Sequence, residues 1–99
     1  MNSFDGVSVN LQNTATAVVG IRLNSFSGNS VNGASATTET NSQLCLQLLG
    51  NTGPDNYTLT QVSVSTFIAE NTFGSNTGTV AASPTIILQP QGFCGLPAP

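Results

Sequence analysis

Lysine, histidine and tryptophan are absent from this 99-residue chain. Only five side chains carry a full charge: Asp5, Arg22, Glu39, Asp55 and Glu70. An average soluble domain has about a quarter of its residues charged. Nucleic-acid binding is the first function excluded, because counterion release needs several basic side chains and Arg22 stands alone in a chain of net charge −3. Catalysis loses its usual parts: there is no His for proton transfer and no Lys for a Schiff base or phosphate clamp. The four carboxylates are scattered, so no spacing pairs two of them for acid–base work. Zinc and copper lack imidazole ligands, and two cysteines do not close a zinc site. The chain is therefore read as a non-enzyme with no cofactor, no metal and no small-molecule substrate. No uninterrupted hydrophobic run is longer than Leu44-Cys45-Leu46, far short of the about 18 residues a membrane span needs. The opening residues do not read as a secretory signal either.

What is present points to a folded β domain. Leu, Ile, Val and Phe number 26, enough for a core, and Ser, Thr and Asn supply 35 polar residues in place of charge. Val7, Val9 and Leu11 alternate with Ser8 and Asn10. Ala15 to Leu23 alternates over nine residues, the strongest strand pattern in the chain, and Leu44, Leu46 and Leu48 form a third stripe. Tyr57 to Ile68 is rich in β-branched residues, but its phase slips, and a β-bulge near Thr60 or Gln61 would reconcile the two halves. Thr85 to Gln89 is a last short strand, closed by Pro90. Asn32-Gly33 reads as a type I′ hairpin, and 50–56 and 74–78 read as loops. No segment shows helical periodicity with caps. Seven or eight short strands in one small domain predict an antiparallel β-sandwich, jelly-roll-like, with an extended N-terminal arm. The predicted divisions are 1–12 as arm or first strand, 13–94 as the sandwich, and 95–99 as an extended tail with two prolines.

Cys45 and Cys94 leave three arrangements open: a bridge within the chain, a bridge between chains, or two free thiols. An intrachain bridge would close a loop of about 50 residues and add about 4 kcal/mol on the chain-entropy model. Thr14/Thr16, Thr38/Thr40, Thr58/Thr60 and Thr77/Thr79 suggest a flat hydroxyl array of the ice-binding kind. They start at unequal intervals, however, which argues against stacked solenoid coils of constant period. A sugar-binding platform would want more than the single Tyr57. Asp55 among Asn and Gly reads as an Asx turn rather than a calcium ligand. Asn56-Tyr57-Thr58 is a glycosylation sequon.

The scarcity of charge carries the functional reading. Soluble β proteins protect strand edges with charge, above all Lys. A chain without that protection tolerates dense packing against copies of itself, as a fibre, appendage or coat subunit does. Val7, Val9 and Leu11 are the candidate assembly residues, adding as a strand to a neighbour's sheet, and head-to-tail repetition gives an open filament. In its Ser/Thr/Asn/Gly-rich composition, few charges, cysteines and N-terminal extension, the chain resembles the endospore-appendage subunits of spore-forming bacteria. That resemblance implies a jelly roll polymerising through an N-terminal connector and disulfides, although residues 1–12 carry no cysteine. The expected function is a structural subunit, extracellular or on a cell or spore surface, whose partners are copies of itself. The alternative is a non-enzymatic adhesin or a phage or virus accessory domain.

Overall fold

A computed structural model describes residues 6–29 and 32–99. Eight strands follow in chain order: β1 (Val7–Leu11), β2 (Thr16–Arg22), β3 (Ala34–Thr38), β4 (Gln43–Leu49), β5 (Tyr57–Gln61), β6 (Thr66–Glu70), β7 (Val80–Ala82) and β8 (Ile87–Gln89). A 3₁₀ turn, Phe73–Ser75, interrupts the return from β6 to β7. The strands form two four-stranded sheets, ordered β1-β3-β5-β7 and β2-β4-β6-β8, and every neighbouring pair is parallel. The chain is thus a four-coil β-solenoid, with one strand of each coil in each sheet. The antiparallel sandwich and the jelly roll are both overturned. So is the extended N-terminal arm: Val7–Leu11 pairs residue by residue with Ala34–Thr38 of the same chain. Residues 1–5 of that expected arm lie outside the described residues.

The reason lies in the connections. Between the two strands of a coil the chain uses a four-residue corner: 12–15, 39–42, 62–65 and 83–86. Three corners are closed by a hydrogen bond of the turn type, Ala15 N–H to Gln12 O, Ser42 N–H to Glu39 O and Ile86 N–H to Ser83 O, each at 3.1 Å. Left-handed backbone at Asn13, Thr14, Thr40, Asn41 and Ser63 sharpens the turn; Asn accepts that region readily, whereas at the β-branched Thr14 and Thr40 it costs about 1–2 kcal/mol. Such a corner turns the strand into the other sheet instead of folding it back as a hairpin. The phase slip in 57–68 is therefore no bulge. It is the corner 62–65, which separates two strands of different sheets. Asn32-Gly33 is no hairpin turn either, since neither residue has positive φ. Gly33 N–H bonds Asn56 O and Gly33 O accepts from Val7 N–H, extending the parallel ladder.

Coil lengths differ because the return loops differ and, in the last coil, because β7 and β8 are only 3 residues each, so that Ile68 pairs with Ile87 at an offset of 19. Val7 pairs with Ala34, Ala34 with Tyr57 and Tyr57 with Val80, offsets of 27, 23 and 23 residues. A solenoid needs matched strands from coil to coil, but its loops can vary freely.

Alternate residues point inward and stack in rows along the coil axis. Ala34, Ala36, Leu44, Leu46, Leu48, Tyr57, Leu59, Phe67 and Ala69 are fully buried, and Ile21, Phe26 and Ile86 complete one continuous cluster fed by both sheets. Small alanines of β3 share a coil with the leucines of β4, so the second coil fills without overpacking. Phe26 meets Tyr57 edge to face, ring centres 6.0 Å apart.

A buried polar ladder stacks the return loops. The Asn51 side chain accepts from the Asn24 N–H and side-chain amide at 3.0 and 3.1 Å, and donates to Ile21 O and Asn76 Oδ1 at 2.9 and 2.7 Å. Asn76 in turn donates to Leu48 O. This ladder adds a second bond to Ile21 O and satisfies Leu48 O where the coils leave β2 and β4.

Candidate functional site

Among the described residues the solenoid has two open ends. At one end β1 and β2 are the edge strands, and at the other β7 and β8 are. An edge strand presents a row of unpaired N–H and C=O groups. Val7, Val9 and Leu11 all lie on β1 and face inward, over Ala34, Ala36 and Thr38. They are only half-buried, as are Ala17 and Val19 of β2 beside them, whereas the corresponding positions of the second and third coils are buried, Gln61 excepted. The opposite end is similar. Leu88 is aligned with Ala69 on the inward side of its sheet, yet it is 52% exposed. The strands β1, β7 and β8 carry no charged residue, and β2 carries only Arg22 at its last position. The three assembly residues expected from sequence therefore lie together on one edge, held in their own coil.

The second feature lies on the outer face of the sheet containing β4. Cys45 and Cys94 form a disulfide. Cys45 points out of the coil, away from the core, and carries residues 90–99 back across the strands. The segment is tied down at further points. Glu70, fully buried, accepts the Gly92 and Cys94 N–H groups at 2.8 and 2.9 Å, and its carboxylate also receives the Gln47 side-chain amide at 2.8 Å. Burial pushes the Glu70 carboxyl up. The donors from Gly92, Cys94 and Gln47, with the Arg22 charge, outweigh that and hold it below the ordinary carboxylate range. Arg22 Nη1 donates to Pro97 O. Leu96 lies close over Gly20, where an added Cβ would come within 3.1 Å of its side chain.

The outer face of the other sheet carries Ser8, Asn10, Ser35, Thr37, Thr58 and Thr60 in aligned rows. The Thr-x-Thr pairs do not make this array. Thr14 and Thr40 sit in corners, Thr38 is buried, Thr16 faces out of the sheet containing β4, and Thr58 and Thr60 face out of this one. Asp55 accepts the Asn29 N–H and side-chain amide at 3.1 and 2.6 Å, so it braces a loop. Among the described residues, no helix is long and apolar enough to cross a membrane.

Comparison with protein-family models, curated proteins and solved structures finds no match. The geometry alone must carry the functional reading. Sequence reasoning missed Asn51 and Glu70. Asparagines recurring after the β2, β4 and β6 stripes, at 24, 51 and 76, were the available signal for the ladder. Nothing in the sequence marked Glu70 as the anchor for the C-terminal segment.

Proposed function

We infer that this chain is a structural subunit that assembles with copies of itself, the edge β7/β8 of one solenoid pairing with β1/β2 of the next. The observation that carries this is the pair of coil ends, open among the described residues and charged only at Arg22. The strand direction is the same at both, so a second copy stacked head to tail continues both parallel sheets. Such a contact is heterologous and does not close, which gives a filament. Addition at the free edge of β1, with the strand left in place, replaces the swinging arm of the sequence reading. Completing the burial of Val7, Val9, Leu11, Ala17 and Val19 contributes about 1 kcal/mol for each of the larger side chains, and each new main-chain hydrogen bond adds about 0.5–1.5 kcal/mol. These terms offset an association cost of about 4–15 kcal/mol, so the equilibrium depends on concentration. A surface-exposed disulfide suits an oxidising setting, which supports a place outside the cell or on a cell or spore surface, in a fibre, appendage or coat.

The test uses both ends. Val9→Asp blocks one end and Leu88→Asp the other. Sedimentation velocity over a range of concentrations should show polymers for the parent chain and monomers for each variant alone. An equimolar mixture of the two variants should form dimers, because each keeps the end the other lacks. A parent chain that stays monomeric throughout, or variants that assemble as the parent does, defeats the reading. The uncharged hydroxyl rows on the outer face of the first sheet would then favour the adhesin-type alternative.

A further inference from the structure

The segment 90–99 is attached unlike any other part of the chain. Gln91, Gly92, Phe93, Gly95, Pro97, Ala98 and Pro99 are all exposed, and only Cys94 and Leu96 within 91–99 are half-buried. Pro97 and Pro99 have no N–H, so the segment cannot add to the sheet as a strand. Its hold on the sheet consists of the Cys45–Cys94 bond, two N–H groups on Glu70, the Arg22 contact and Leu96 over Gly20. Both cysteines lie outside the coil, half-exposed, where a small thiol can reach them. The core rows of the solenoid use neither sulfur.

We propose that residues 90–99 form a redox-released strap: with the disulfide intact they lie over the outer face of the β2-β4-β6-β8 sheet, and reduction frees them while the four coils stay folded. The reductant is a dithiol. One of its thiolates attacks a sulfur of the bridge and forms a mixed disulfide, and its second thiol displaces the protein sulfur. The protein gains two electrons and two protons and ends with two thiols, while the dithiol ends as a cyclic disulfide. Without the covalent tie the remaining hydrogen bonds must hold a segment rich in Gly and Pro that regains its freedom on release. Undocking uncovers the buried Gln47 and Glu70. It also clears the row Val18, Cys45, Ile68 and Ile87, whose members are aligned from strand to strand and of which Val18 is already 51% exposed.

Amide hydrogen exchange with and without dithiothreitol tests this on the full chain, with peptides covering 90–99 and strands β4 and β6. In the oxidised protein the Gly92 and Cys94 amides should be protected. After reduction they should exchange at least tenfold faster, while β4 and β6 keep their protection and the far-UV β signal is unchanged at 25 °C. Iodoacetamide should then modify both Cys45 and Cys94 at rates near that of a free small thiol. Strap amides that stay protected after reduction overturn the proposal, because Glu70 and Arg22 then suffice to hold the segment. Loss of the β signal on reduction overturns it too, because the bridge is then a staple of the whole fold. The double variant Cys45→Ser/Cys94→Ser, without reductant, should reproduce the reduced exchange pattern. If it instead matches the oxidised one, the sulfurs do not control the strap.

Discussion

Replacing Asn51 with alanine should destabilise the chain by about 2–4 kcal/mol, and the figure follows from which buried hydrogen bonds are lost. Asn51 has no exposed surface, and its side chain makes four hydrogen bonds. Two of these reach Asn24, which is exposed and can turn to water, so their loss costs little. A third is to Asn76 Oδ1, which still receives the Asn51 backbone N–H at 3.0 Å. The fourth is to the carbonyl of buried Ile21, which loses its side-chain donor. That carbonyl keeps the Leu49 N–H of the parallel ladder, so the loss is that of two buried hydrogen bonds at about 0.5–1.5 kcal/mol each, and the cavity left by the amide adds about another 1 kcal/mol. Against a total of about 5–15 kcal/mol for a domain, that is a large fraction. Urea denaturation followed by far-UV circular dichroism measures it, with an unchanged m-value showing that the same surface is exposed on unfolding. Asn51→Asp is the control. It keeps the shape but puts an acceptor where Ile21 O and Asn76 Oδ1 need a donor, so it should cost at least as much as alanine. An alanine effect below about 0.5 kcal/mol, or an aspartate milder than alanine, would refute the view that the ladder holds the return loops together.

Other outcomes follow from single residues. The Tyr57 hydroxyl is buried with no hydrogen-bond partner among the described residues, and burial, with the Asp55 charge adding, pushes its ionisation up. Tyr57→Phe should therefore stabilise the chain by about 0.5–2 kcal/mol, and a thermal midpoint that falls would contradict this. Gly53 has φ of 113°, and an added Cβ would lie 2.0 Å from Phe26 O, whereas Gly28, at φ 74°, has nothing within 4 Å. Gly53→Ala should cost at least about 2 kcal/mol and Gly28→Ala only about 1 kcal/mol; equal urea midpoints for the two would show that the loop yields. The folded pKa of Glu70 is depressed, so its contribution is present above the unfolded carboxyl pKa of about 4.3 and is lost as pH falls through the lower folded value. Acid below about pH 4 should therefore loosen the strap, seen as faster exchange at Gly92 and Cys94, and Glu70→Gln should flatten that dependence.

Alternation of apolar and polar residues was sufficient to locate β1, β2 and β4, because a half-buried strand shows its two faces in the sequence. The loops 50–56 and 74–78 were legible from Gly, Asn and Pro. The direction of pairing was not legible. A strand's side chains alternate with period two in parallel and antiparallel sheets alike, so the pattern names strands without naming neighbours. Four-residue corners such as 62–65 look like hairpin turns or slipped strands until the sheet each flanking strand joins is known. The repeat was hidden as well, since the stacking constraint acts on the strands and leaves the return loops free to differ in length. Two cysteines could pair, cross-link copies or stay free. The pairing was decided when β4 turned Cys45 outward and the chain returned Cys94 across the same face. Glu70 followed for the same reason: whether a carboxylate is buried, and what neutralises it, depends on segments distant in sequence, and only the folded chain brings those segments to it.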